Sequence, residues 1–430
     1  MYSSLIPKGV TKEDIKNLEK LKGEINKKFL ESKEKLGFIR SFYDTEVVEE
    51  IETFITGIDK NINSIVVIGI GGSDLGTRAV HSAINGNYYN EVKDQKQRKL
   101  YFTGDTTDPM PLYDLLQVID LTKTLFVIVS KSGSTIEPAI TTEVILNELA
   151  RLKLEINKHC VMLTDSRASS ARNLATKHNI QIFSIPEDVG GRFSILTVCG
   201  LLPLALVGIN INQLLSGAQS IVKKLDNDNN DSLEFSMINL LYMQKGYNIN
   251  ILMPYIYSFF NFGQWFRQLW AESLGKKNAF GNNQGSISTP VISIGPTDQH
   301  SQLQLYSDGP NDKTFTFLTT RKTKNDIIIP RSEFHEYLSG KSLFSILQFE
   351  LEATERSLTL EGKPTMRITL DDNSPFSIGE LIAFYETSIV YLGYLLNINV
   401  FDQPGVEMSK NIIYGLVGKR GFEKYSIIKN

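Results

Sequence analysis

Five short apolar runs recur along the first half of the chain: "SIVVIGI" (64–70), "KLYFTG" (99–104), "TLFVIVS" (124–130), "HCVMLTD" (159–165) and "IQIFSIP" (180–186). Segments of helical length separate them. Strands that are apolar at nearly every position cannot leave one face in water, and parallel neighbours need a crossover long enough to hold a helix. This pattern predicts a parallel sheet with helices on both faces. Four further candidates, "NINILMPY", "PVISIG", "TFTFLTT" and "TMRITL", alternate with helical stretches in the same way and predict a second α/β lobe. Two such lobes leave a cleft where the carboxyl ends of their strands meet, the usual place for a ligand.

The flanking segments are helical. Thr11 and Asp14 form a capping-box start, and Ile15, Leu18, Leu21, Ile25 and Phe29 follow at spacings of three and four. "KKLDNDNNDSLE" is a polar surface loop, a long helix is expected over about 376–397, and a last helix follows Pro404. The expected organisation is an N-terminal helical arm (1–40), a first lobe that binds phosphate (41–200), a second lobe (201–400) and a C-terminal helical segment (401–430).

Composition narrows the function. The chain has 430 residues with 45 Lys plus Arg against 48 Asp plus Glu, a net charge of −3, and no basic stripe of the kind that neutralises nucleic-acid phosphates. A nucleic-acid partner is therefore not expected. Cys160 and Cys199 lie in apolar runs rather than at metal-ligand spacing, which fits reduced core thiols in a cytoplasmic protein. The N-terminus lacks a basic head followed by an apolar run, so no secretory signal is expected. The uncharged stretch from Phe193 to Ile209 is shorter than the ~20 apolar residues a membrane span needs and contains Pro203, so a buried helix is expected there.

Six short stretches carry chemistry. "GIGGSDLG" (69–76) lacks the third glycine of a dinucleotide fingerprint, since Asp74 stands there, but its glycines let backbone amides approach an anion and Ser73 adds a hydroxyl. A plain strand-to-helix turn is the alternative. "SKSGSTIEP" (130–138) offers Ser130, Ser132 and Thr135 as donors just before a helix, where amides and macrodipole favour a phosphate dianion. An ordinary N-cap would account for one hydroxyl, not for four in six residues. "EDVGGRFS" (187–194) puts Arg192 just past the fifth run, where its fork can bind an anion or make a structural ion pair.

In "FNFGQWFRQLWAESLGKK" (260–277), Gln268 and Glu272 are four apart and share one helical face beside Trp265 and Leu269. A partly desolvated carboxylate suits proton transfer. The competing reading is a surface pair between Glu272 and Lys276. "PTDQHSQ" (296–302) holds His300 in a polar turn, and "FDQPGVEMSK" (401–410) holds Gln403 and Lys410. Singly, these read as a solvated histidine and a surface lysine.

Together, in this order and spacing, the six stretches resemble the glucose-6-phosphate isomerase (phosphoglucose isomerase) family in its compact bacterial form, over Ile68 to Lys410. The resemblance implies two sugar-isomerase (SIS) lobes, each a five-stranded parallel sheet flanked by helices, and a homodimer acting on a sugar phosphate without cofactor, metal or membrane. It implies that Glu272 is the proton-transfer base and that Arg192 steadies an enediolate. By the same resemblance His300, reaching over from the neighbouring subunit, and Lys410 open the sugar ring. Gly72, Ser73, Ser130, Lys131, Ser132 and Thr135 match the phosphate loops, and Gln268 and Gln403 match substrate-contacting glutamines.

The activity implied is reversible isomerisation of D-glucose 6-phosphate to D-fructose 6-phosphate through a cis-enediol. Two rival readings remain. One is a dual phosphoglucose and phosphomannose isomerase, against which Gln403 counts because that family commonly has threonine there. The other is a SIS regulator that binds a sugar phosphate without turning it over. Such a protein needs no Glu272, His300 and Lys410 together. Val198, Cys199 and "EMSK" depart from the commoner family sequence without touching a residue given a role.

Overall fold

The computed structural model describes residues 9–92, 96–227, 230–277 and 288–426. The five apolar runs form β1 (Ser64–Ile68), β2 (Lys99–Thr103), β3 (Thr124–Val129), β4 (Cys160–Asp165) and β5 (Gln181–Ile185). They make one parallel sheet in the order β2-β1-β3-β4-β5. Every residue of β1, β3 and β4 is buried, which is why these strands read as unbroken apolar runs. The order reverses between β1 and β3, so the loops that follow these two strands leave in opposite directions and open a crevice. "GIGGSDLG" and "SKSGST" are those loops.

The second sheet contains β6 (Ile249–Pro254), β7 (Thr289–Ile292), β8 (Lys313–Thr320) and β9 (Thr365–Leu370), parallel throughout, in the order β7-β6-β8-β9. Among the described residues this sheet has four strands, which corrects the expected five. The one further β-branched run in this half, Ile327–Ile329, ends at Pro330 and pairs only through an isolated antiparallel bridge between Ile328 and Ser342. Proline has no N–H for a ladder, so the run cannot grow into a fifth strand.

The N-terminal helix, Lys12–Ser32, starts with the expected reciprocal box between Thr11 and Asp14 and buries Leu18 and Phe29. Phe29 stacks on Tyr391 of the long helix Pro375–Leu396, at 4.3 Å between ring centroids. The uncharged stretch forms the buried helix Val198–Leu206 with Pro203 inside it. No helix among the described residues is long and apolar enough to cross a membrane. Cys160 and Cys199 are buried and unpaired with each other, and burial pushes their thiols up to about 12 and about 11, so neither is poised as a nucleophile.

Candidate active site

The crevice is built on the helix Phe260–Leu274, which follows β6. One side of it buries Phe262, Trp265, Phe266, Leu269 and Trp270. Two indole N–H groups fix its position: Trp265 Nε1 donates to the Arg192 carbonyl at 3.1 Å and Trp270 Nε1 to the Ser288 carbonyl at 3.0 Å. Gln264, Gln268 and Glu272 recur at intervals of four and are half-buried, so they line the open side. The Glu272 side chain is 33% exposed, and Gln268 Nε2 donates to its Oε1 at 3.3 Å. Gln268 Oε1 is buried without a partner among the described residues.

Arg192 sits in the turn Gly191–Phe193 after β5 and is 2% exposed. Nε donates to Ser273 Oγ at 2.8 Å, Nη1 to Gln403 Oε1 at 2.6 Å, and Nη2 to the carbonyls of Val400 at 2.5 Å and Asp402 at 2.9 Å. Glu272 Oε2 lies 3.5 Å from Nη1, longer than a close charge-assisted bond. Burial lowers the guanidinium's ordinary proton affinity, while the Glu272 and Asp402 charges oppose that shift. The carboxylate and the arginine thus face one another with the arginine held mainly by neutral acceptors.

The two glycine loops interlock. A Cβ on Gly72 would lie 2.1 Å from the Gly191 carbonyl carbon, and Ser194 Oγ donates to the Gly72 carbonyl at 3.3 Å. Only glycine permits this approach, which sets "GIGGS" beside the arginine. A Cβ on Gly71 would lie 2.9 Å from Gln268 Nε2, so the same loop also touches the helix that carries Glu272.

The loop "SKSGST" follows β3. Ser130 is buried, whereas Ser132 and Thr135 are exposed. Ser132 Oγ and Ser134 Oγ are 2.6 Å apart, and Gly133 has φ +70, with a Cβ there meeting Ala171 N at 2.5 Å. Thr135 occupies the N-cap of the helix Ile136–Arg151 without a side-chain capping bond, so its hydroxyl is not spent on the helix. Lys131 Nζ donates to the carbonyls of Glu187 at 2.7 Å and Val189 at 3.0 Å. That ammonium ties the loop after β3 to the segment leading into Arg192.

Ser73 closes the turn Gly71–Ser73. Gln403 joins the cluster through Arg192. Lys410 lies outside it, exposed on the helix Glu407–Leu416 and paired with Glu407 at 2.9 Å. His300 is exposed at the end of the turn Thr297–His300, and among the described residues no hydrogen bond or ion pair joins it to Glu272, Arg192 or Lys410. The surface pair between Glu272 and Lys276 does not form, since Lys276 reaches Asp402 Oδ1 at 2.6 Å instead.

Sequence reasoning did not anticipate three participants. Ser273 and Asp402 hold Arg192, and Tyr414 donates to the Ser134 carbonyl at 2.9 Å. The position of Ser273 within "WAESLGKK", next to Glu272, was the one available signal.

Residues 45–419 match the model of the phosphoglucose isomerase family. The chain is 38% identical over 411 residues to the glucose-6-phosphate isomerase of Carboxydothermus hydrogenoformans, covering 92% of this chain and 88% of that protein. The structure superposes on that of a hypothetical protein from Thermus thermophilus with a TM-score of 0.87 at 32% identity, covering 97% of this chain and 99% of that one. It superposes on a glucose-6-phosphate isomerase from Chlamydia trachomatis with a TM-score of 0.77 at 25% identity, covering 89% and 74% of the two chains. With the match running through both sheets and through every stretch that lines the crevice, the chain belongs to the phosphoglucose isomerase family.

Proposed function

We propose that the protein interconverts D-glucose 6-phosphate and D-fructose 6-phosphate in the cytoplasm, in glycolysis and gluconeogenesis, with Glu272 carrying the proton between C2 and C1. The supporting observation is Glu272 on the open side of a helix whose other side is buried, facing the buried Arg192 at 3.5 Å. In the open-chain sugar Glu272 removes the C2 proton to give an enediolate, a proton passes from O2 to O1 through the cis-enediol, and the same carboxylate returns the C2 proton to C1 as the O2 carbonyl forms. Charge gathering on the substrate oxygens is met by Arg192, whose orientation is already fixed by four acceptors, so little reorganisation is needed during the reaction.

The phosphate is bound by Ser73, Ser130, Ser132 and Thr135 with the backbone amides of the two loops, and Gln268 and Gln403 orient the sugar hydroxyls. Binding energy from the remote phosphate is thereby converted into alignment at C1 and C2. Ring opening needs an acid at the ring oxygen and a base at the anomeric hydroxyl, and His300 and Lys410 fill these roles. His300 acts in the site of a second copy of the chain. Its exposure agrees with that, as does the exposed apolar side chain of Leu305 five residues on, which is 53% exposed.

The test is turnover of fructose 6-phosphate by the wild-type protein and by Glu272→Gln. The variant is expected to lose on the order of 10²–10⁴-fold in kcat while a phosphate-bearing inhibitor still binds. Near wild-type turnover in the variant would remove Glu272 as the base, and comparable wild-type rates on mannose 6-phosphate would favour the dual-specificity enzyme.

A further inference from the structure

Lys276 lies one helical turn after Glu272, with its side chain only 8% exposed. Its ammonium donates to the Asn399 carbonyl at 2.5 Å, to Asp402 Oδ1 at 2.6 Å and to the Asp402 carbonyl. The Asp402 carbonyl is shared, because Arg192 Nη2 donates to the same oxygen at 2.9 Å. The segment 399–402 is closed on itself as well: Asn399 Nδ2 donates to Asp402 Oδ2 at 3.1 Å, and the Phe401 N–H donates to Asn399 Oδ1 at 3.0 Å. Two cations therefore grip one turn, Lys276 through Asn399 and Asp402 and Arg192 through Val400 and Asp402.

This arrangement bears on the base. Arginine has five N–H groups, and four of the hydrogen bonds made here go to Ser273, Gln403, Val400 and Asp402. Glu272 receives only the long contact from Nη1. If the turn drifted, its carbonyls would release Nη2, and the guanidinium could close on Glu272 as a tight pair, neutralising the carboxylate that must accept a proton. We infer that Lys276 is a positioning residue of the isomerase site, which fixes the 399–402 turn so that Arg192 and Gln403 stay aimed at the enediolate and Glu272 stays free to take the C2 proton. The inference rests on the proposed isomerase reading.

The experiment compares Lys276→Met and Lys276→Arg with the wild type on fructose 6-phosphate and with two inhibitors. One is a phosphorylated aldonohydroxamate, whose planar anionic group copies the enediolate; the other is sorbitol 6-phosphate, which has the phosphate and hydroxyls alone. Lys276→Met is expected to lower kcat by about 10–100-fold, the range for a slightly misplaced group, with KM nearly unchanged. The hydroxamate should weaken in parallel with kcat/KM while sorbitol 6-phosphate does not, and Lys276→Arg should recover part of the loss. Equal weakening of both inhibitors, or unchanged kcat, overturns the role. If Lys276→Met fails to fold, Asp402→Asn, which removes the carboxylate partner of the same ammonium, is read by the same inhibitor ratio. An inactive wild-type protein would defeat the isomerase reading itself, whereas an active wild type with an unaltered ratio in the variants would defeat only Lys276.

Discussion

Tyr414 donates its phenolic hydroxyl to the backbone carbonyl of Ser134 at 2.9 Å, across 280 positions of sequence. Through this bond the helix that carries Lys410 rests on the loop proposed to bind phosphate. Tyr414 is one turn beyond Lys410 and shares its side of the helix. Tyr414→Phe removes one net hydrogen bond, worth about 0.5–1.5 kcal/mol. The expected result is a fall of about 2–10-fold in kcat/KM for fructose 6-phosphate, measured by steady-state kinetics, with the larger part in KM. Unchanged kinetics would show that Lys410 and the phosphate loop are independent.

Gly72→Ala places a methyl group where only 2.1 Å separates it from the Gly191 carbonyl carbon. Both partners are backbone, so the collision cannot be relieved by rotating a side chain. The cost is expected at or above the ordinary overpacking range of about 1–3 kcal/mol, seen as a lower denaturation midpoint. Because the displaced segment is the one leading into Arg192, kcat/KM should fall by ~100-fold, and a kinetically normal Gly72→Ala would contradict the close packing.

Glu386 is fully buried on the helix Pro375–Leu396, and neither carboxyl oxygen has a partner among the described residues. Burial raises its proton affinity well above the ordinary carboxyl value of 4.5. The folded chain keeps this proton at pH values where the unfolded chain has lost it. Stability is therefore greatest below the unfolded value and declines as pH climbs toward the folded one, by about 1.4 kcal/mol per pH unit. Glu386→Gln abolishes that decline, so urea midpoints of variant and wild type should diverge in the variant's favour as pH rises above the ordinary carboxyl value of 4.5. Parallel curves would mean that Glu386 has a partner after all.

His300 supplies a test of the proposed sharing of the site between two subunits. Neither His300→Ala nor Glu272→Gln homodimers should turn over substrate at an appreciable rate. In a mixed dimer one of the two sites regains both residues, and random mixing in equal amounts should restore roughly a quarter of wild-type activity. No recovery after verified exchange of subunits would place His300 within its own subunit's site.

The first sheet was legible because its three inner strands are buried on both faces, and each of its five apolar runs became a strand within a residue or two of the expected bounds. The second was less so. β9 mixes Thr365, Arg367 and Thr369 with apolar residues and only Leu370 is fully buried, a weaker signal than the unbroken run of β1. Strand order was not legible in either sheet, because nothing local tells β1 that β2 and β3 will flank it. Within the site, residue types and spacing pointed to Glu272 and Gln268 as sharing a face. The partners of Arg192 lie 81 to 211 positions away, and pairing at such distances is decided by packing rather than by local pattern. For the same reason Lys276 looked like a neighbour of Glu272 and is instead a partner of Asp402.

The wide separation of those partners also sets an order of events during synthesis. A chain that emerges N-terminus first can complete β1 to β5 and the phosphate loop while Arg192 still lacks Val400, Asp402 and Gln403, more than 200 positions downstream. Until they arrive, a guanidinium destined for the interior has no acceptors there and must remain hydrated. A nascent or truncated chain ending before residue 400 could therefore fold much of its first sheet yet leave the arginine loop open, and competence for catalysis would come with Val400, Asp402 and Gln403 rather than growing with length.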